Sequence, residues 1–219
     1  ITEQLNEKHK LILMDARGHG KSDKPHESSE YLPAPKSKDI ELILDDLGID
    51  EAHFFGYSMG GRIGLDTVAH APQRIRSLIV GGAGPSPAAL LQEQMFKKGR
   101  NIKDVLEVIE SKVGRLPDKA RETFLANDMD ALAASQDSSI LDQEELYKRS
   151  LANFAKPTLM FVGTDDPRHS DIEMTAANMP NARFISLDGL DHMGAGTKGL
   201  RSLMPQISEF LRLVDLEGN

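Results

Sequence analysis

Residues 52–61 read AHFFGYSMGG: an apolar, aromatic run stops abruptly in the pattern G-x-S-x-G, and a helix-like segment, 62–70, follows. Strand, sharp turn and helix together are the context in which that pattern forms a nucleophile elbow. Such a turn lifts the hydroxyl of Ser58 clear of the sheet edge and forces its backbone into a strained conformation. On this reading Gly56 and Gly60 are both required, because side chains two residues either side of the serine would collide. A helix starting just after Ser58 aims its unpaired N–H groups and positive dipole end at a reacting oxygen. A glycine-rich turn of this kind can be purely structural, but the flanking strand and helix favour a nucleophile.

Bulk properties exclude several alternatives. The 219 residues, 39% of them hydrophobic, suffice for one substantial core and a small further subdomain. A net charge of -8, with Lys and Arg dispersed among acids, argues against a nucleic-acid surface. No apolar run reaches the length of a membrane span, and no signal-peptide pattern opens the chain. The absence of cysteine rules out disulfides, thiolate metal sites and a cysteine nucleophile, and fits a cytoplasmic protein.

Hydrophobic patterning predicts alternating strands and helices. Residues 10–14 (KLILM), 52–56, 75–80, 157–162 and 183–187 read as strands; 38–47, 62–71, 171–178 and 200–213 read as helices. Strands written as solid apolar runs are covered on both faces, which implies a mostly parallel sheet flanked by helices. Between Pro85 and Ala155 no strand signal occurs. Ile102, Val105, Leu106, Ile109 and Val113 fall on one helical stripe, and 117–126, 128–135 and 143–151 read as short helices. The expected domains are therefore a core, 1–84 plus 156–219, and a helical cap, 85–155, over the carboxyl ends of the strands. Met95, Phe96 and Met129 are candidates for an apolar pocket in that cap, although a helical Met or Phe is more often plain core.

A serine nucleophile needs a base, and the base an orienting acid. Of seven histidines, His192 stands out: it lies in the loop GLDHMG immediately after the last predicted strand. The acid should come from the loop after the preceding strand, GTDDP, which offers Asp165 and Asp166. Neighbouring side chains in an extended turn face different ways, so one of the two points at the histidine.

With these residues in place the chain resembles the α/β-hydrolase superfamily, specifically its small, capped, esterase-like branch. DARGHGKSD at 15–23 is similar to that branch's D-x-R-G-H-G-x-S-D turn, GYSMGG to its elbow, GTDD to its G-x-x-D acid turn and Asp191-His192 to its final histidine loop. The resemblance implies the α/β-hydrolase fold and a catalytic set of Ser58, Asp166 (in preference to Asp165) and His192, with the Met59 N–H as an oxyanion donor. Arg17 and His19 carry over as structural turn residues. A serine at the nucleophile position argues against the aspartate-nucleophile members of the fold.

Members of the branch have three earlier strands, the third ending in an H-G loop that supplies a second oxyanion N–H. Here the one H-G is His19-Gly20, in a different motif, and the chain opens on Ile1. The resemblance leaves 10–14 and 52–56 without their common neighbour, which implies either a native start further upstream, the favoured reading, or a rearranged sheet. The expected activity is cleavage of a small-molecule carboxylic ester or related acyl substrate through an acyl-enzyme, with no cofactor or metal. The sequence leaves the physiological substrate and the oligomeric state open. The alternatives are C–C bond hydrolysis or a lyase reaction, for which Arg62 would bind a carboxylate unless it serves in a surface salt bridge, and a non-catalytic ligand-binding relative.

Overall fold

The computed structural model describes residues 5–86, 101–113, 115–139 and 144–217. The chain divides into two compact units: Ile1–Leu13, Ser37–Ser86 and Gln143–Asn219 form the first, Met14–Lys36 and Pro87–Asp142 the second. The described helices and strands are α1 (Pro33–Asp46), β1 (Ala52–Tyr57), α2 (Met59–His70), β2 (Ile75–Gly81), α3 (Ile102–Val113), α4 (Asp118–Leu125), α5 (Met129–Ser139), α6 (Glu144–Ala152), β3 (Thr158–Gly163), α7 (His169–Ala177), β4 (Ala182–Leu187) and α8 (Leu200–Glu217).

The first unit is a parallel sheet flanked by helices, in the strand order β1-β2-β3-β4. The two inner strands are buried almost throughout, whereas β1 and β4 are partly exposed. This explains why β2 and β3 are continuous apolar runs. Alternation along the strands divides the core in two. Leu78, Val80, Met160 and Val162 face one side, with Leu65 and Val68 of α2 and Ile172 and Ala176 of α7. Ile79, Leu159 and Phe161 face the other, against Leu203, Met204, Ile207 and Leu211 of α8. Burying side chains of this size stabilises by about 1.5–3 kcal/mol each.

Two sequence expectations differ from what is observed. Residues 10–14 form no strand: they lack regular structure and Leu13 is 78% exposed. Among the described residues β1 is the outer strand of the sheet, so KLILM has no neighbour with which to form a ladder. The second difference concerns α6, which lies within the segment 85–155 expected as a cap but is part of the first unit. Tyr147 and Leu151 of α6, with Phe154, complete the core on the α2 side, and the Tyr147 hydroxyl donates to the buried Asp66 of α2. Burial first, and the adjacent Asp66 charge next, push the Tyr147 phenol well above its usual range.

In the second unit, the 15–23 turn is held by its own polar groups. Lys21 N–H donates to Asp15 Oδ2 (2.9 Å), Gly18 N–H to the Asp23 carbonyl (2.8 Å) and Ser22 Oγ to the Asp15 carbonyl (2.6 Å). The Arg17 guanidinium donates to Glu30 and to the Pro35 carbonyl, and His19 Nδ1 lies 3.2 Å from the Arg17 carbonyl, so both side chains serve the turn. Tyr31 is buried with Ala131 and Ala134 of α5. Met129 opens α5; Met95 and Phe96 lie outside the described residues. Among the described residues no helix is long and apolar enough to cross a membrane.

Candidate active site

Ser58 occupies the one-residue turn between β1 and α2, with φ 53° and ψ -113°. It is the one described residue other than glycine with a positive φ. An L side chain there is strained, and such strain is sustained when the surroundings over-determine the conformation. Here β2 does so, because Ser58 N–H donates to the Gly81 carbonyl (2.8 Å). A Cβ on Gly56 would stand 2.2 Å from the Gly60 carbonyl oxygen, so that glycine is required by close approach. Gly60 is not: a Cβ there meets nothing within 4 Å, whereas one on Gly61 would press on Ala83 at 2.9 Å. The steric demand expected at Gly60 thus belongs to the next residue, which faces β2. Arg62 N–H is the first to bond back, to the Ser58 carbonyl (2.9 Å), leaving the Met59 N–H ahead of the helical ladder at the positive end of α2.

The other two predicted residues are brought to Ser58 by interlocked loops. Gly163 ends β3 so close to the chain after β4 that a Cβ on it would lie 1.9 Å from the Leu190 carbonyl oxygen. Asp165 N–H donates to that same carbonyl (3.0 Å), and Thr164 Oγ1 accepts from Gly189 N–H (2.8 Å). Asp191 Oδ1 accepts from Gly194 N–H (2.7 Å), so the expected glycine-bounded loop ends in a short capped helical turn, His192–Gly194.

The result is a contiguous chain of polar groups. His192 Nε2 lies 2.9 Å from Ser58 Oγ, and His192 Nδ1 lies 2.7 Å from Asp166 Oδ2. Asp166 is 3% exposed, whereas Asp165 is exposed and turns to Thr164 Oγ1 (3.2 Å), which separates the two candidate acids. Burial alone would raise the Asp166 carboxyl. The hydrogen bond with His192, the Arg168 N–H (3.0 Å) and the Arg168 charge outweigh it and hold the carboxyl at about 2. An ionised Asp166 orients the imidazole with Nδ1–H toward itself and the Nε2 lone pair toward the serine.

Three further residues shape the site and were not assigned these roles from sequence. Tyr57, the variable residue before the serine, donates its hydroxyl to the His192 carbonyl and lies with its ring 5.3 Å from the imidazole and 5.8 Å from Phe161. Burial, and then the Asp166 charge, push its phenol far above the usual range, so it stays a neutral donor. Arg168 packs beside the histidine ring. Among the described residues Arg62 forms no salt bridge, and it is engaged by backbone and ring instead. It donates to the carbonyls of Gly84 (2.7 Å), Pro85 (3.0 Å) and Ser86 (3.2 Å), and its guanidinium lies 4.2 Å from the centre of the Tyr147 ring, pinning the chain that leaves β2. The aromatic residue before Ser58 and the arginine two after Asp166 were visible as letters, but no periodicity marks them.

Among the described residues, two groupings place ligand-type atoms within 4.8 Å of one another: His9, His53 and Asp215 in the first unit, and His26, Asp128 and Asp130 in the second. In the first, Asp215 already faces His53 Nε2 (3.1 Å) and Arg76 (3.4 Å), while Ser77 Oγ lies 2.7 Å from His53 Nδ1. In the second, Asp128 Oδ1 caps α5 by accepting from the N–H groups of Asp130 and Ala131, and its Oδ2 faces His26 (3.1 Å). A cation at either would compete with a partner already in place.

A family model described as alpha/beta hydrolase fold matches residues 1–128. The chain is similar to a pimeloyl-[acyl-carrier protein] methyl ester esterase of Xanthomonas campestris pv. campestris, with 27% identity covering 88% of this chain and 81% of that one. It is similar also to a 2-hydroxy-6-oxononadienedioate/2-hydroxy-6-oxononatrienedioate hydrolase of Cupriavidus pinatubonensis, with 26% identity over 84% of this chain and 70% of that one. Among solved structures, a hydrolase from Pseudomonas aeruginosa PA01 superposes with a TM-score of 0.79 at 26% identity, over 95% of this chain and 82% of that one.

Proposed function

Since the chain belongs to the alpha/beta hydrolase fold family, we propose that it is a serine hydrolase of small carboxylic esters, working through an acyl-enzyme on Ser58. The observation that carries this reading is the continuous relay Ser58 Oγ, His192, Asp166, with separations of 2.9 and 2.7 Å. In the proposed reaction His192 Nε2 removes the hydroxyl proton as Ser58 Oγ attacks the ester carbonyl. Asp166 holds the ring in the productive tautomer and stabilises the imidazolium that forms. The Met59 N–H, at the head of α2, donates to the developing oxyanion. His192 then returns its proton to the departing alkoxide and activates a water that releases the acid. Every proton is held by a side chain of this site, and no cofactor is required by the chemistry.

The methyl ester esterase relative supports the ester reading. The hydrolase of C. pinatubonensis supports a second, cleavage of a C–C bond next to a carbonyl, which the same relay would begin in the same way. A short p-nitrophenyl ester tests the ester reading directly. The expected result is a burst of p-nitrophenol followed by steady turnover, a Ser58 adduct in the intact mass, and a loss of roughly 10⁴–10⁶ in kcat for Ser58→Ala and likewise for His192→Ala. An inactive wild type would overturn the ester reading. Near-normal turnover in Ser58→Ala would remove the serine from the mechanism.

A further inference from the structure

Arg168 is placed where it cannot be an ordinary partner of His192. Its Nη2 lies 2.8 Å from His192 Nδ1 and 3.4 Å from Nε2, while Asp166 Oδ2 lies 2.7 Å from the same Nδ1. Guanidinium nitrogens only donate, and an ionised carboxylate only accepts. Nδ1 therefore serves one of them at a time. Were it to accept from Arg168, its proton would sit on Nε2, facing Ser58, and Asp166 Oδ2 would lose its donor. The buried carboxylate settles the competition: Nδ1–H points to Asp166, and the Arg168 cation lies beside the ring without a hydrogen bond to gain from it. Arg168 stays there because its own N–H (3.0 Å) and Nε (3.4 Å) hold Asp166 Oδ1, with the side chain 18% exposed.

We propose that Arg168 is a positioning residue whose guanidinium, set against the imidazole, opposes protonation of His192. The inference rests on the reading of His192 as the general base. Among the described residues, the groups facing the ring are Asp166 and Arg168 from the turn after β3 and Ser58 and Tyr57 from the end of β1, with Asp191 next to it in the chain. Tyr57 is neutral and Ser58 uncharged, and Asp191 Oδ1 is committed to the Gly194 N–H. The balance on the ring is therefore between one buried carboxylate, which favours the imidazolium, and one guanidinium, which resists it. A like charge this close shifts a protonation equilibrium by roughly three- to tenfold where solvent screens it partly. The sign is definite. With Arg168 removed, His192 takes up its proton at higher pH, so activity falls away sooner as pH is lowered.

The test compares the wild type with Arg168→Met, which removes the charge, and Arg168→Lys, which keeps it. Turnover of a short p-nitrophenyl ester is followed from pH 5 to pH 8, with the His192 ring titrated by NMR in the same proteins. At about pH 5.5 Arg168→Met is expected to retain a fraction of its plateau kcat/KM three- to tenfold smaller than the wild type retains, with Arg168→Lys following the wild type. The NMR midpoint of His192 should rise in Arg168→Met. An unmoved or lowered midpoint, or a fallen plateau with its acid limb in place, would overturn the inference and leave Arg168 a prop for Asp166. Should the wild type lack turnover, the ester reading fails, and the NMR titration decides on Arg168 alone. Arg168→Gln replaces Arg168→Met if the latter does not fold.

Discussion

Asp165 and Asp166 are adjacent carboxylates with opposite surroundings: Asp165 is exposed beside Thr164, whereas Asp166 is buried between the imidazole and the Arg168 backbone. Asp166→Asn is expected to lower kcat by roughly four orders of magnitude, because an amide donor stabilises the wrong imidazole tautomer. Asp165→Asn should stay within a few-fold of wild type, and the reverse ranking in steady-state assays would move the acid by one residue. The same carboxylate links pH to stability. Its folded-state value of about 2 lies below the ordinary carboxylate range. Its contribution is thus fully present above about pH 4 and is lost as pH falls toward 2, amounting to about 2 kcal/mol. Urea unfolding at pH 7 and pH 3 should show about half of that increment in the wild type, since the carboxyl is still mostly ionised at pH 3 in the folded state, and a much smaller change in Asp166→Asn.

At the scale of elements, the geometry of the candidate site depends on how two loops cross. The turn after β3 and the segment after β4 touch at Gly163 and Leu190 and are tied by the Asp165–Leu190 and Thr164–Gly189 hydrogen bonds. Gly163→Ala would force a Cβ into the Leu190 carbonyl and push the histidine segment off the acid turn. A loss of about 1–3 kcal/mol is expected from such overpacking, with kcat falling alongside Tm. Gly60→Ala is the contrasting case: with open space at its Cβ and a helical position, its Tm should stay level or rise. If both variants melted alike, the close approach at Gly163 would not be what holds the loops together. The G-x-S-x-G pattern announced the turn but not which glycine the packing needs, since that depends on what β2 and α2 bring alongside. For the same reason α6 read correctly as a helix but not as part of the sheet unit, a placement fixed by Tyr147, Leu151 and Phe154.

For the whole molecule, the outer position of β1 has a consequence in solution. Among the described residues β1 is an outer strand, and the apolar run at 10–14 leaves Leu13 exposed. A strand edge that is neither covered nor charged is a template for pairing. Sedimentation velocity should therefore reveal concentration-dependent association of this 219-residue chain, and a single monomeric species at every concentration would show the edge to be protected. What the sequence determined by itself was local and periodic: the parallel alternation, the elbow, and the loops carrying Ser58, His192 and two candidate acids, because side-chain spacing and turn chemistry act over a few residues. The tertiary structure decided whatever depends on a partner distant in the chain. KLILM has the composition of a strand, but a strand exists only as a member of a pair. Arg62, read as a surface charge or a ligand for one, is engaged by three carbonyls and a tyrosine ring. Asp166 and Arg168 acquire their opposed effects on His192 only when β3 and β4 lie side by side, since charge acts through distance in space and not through spacing in sequence.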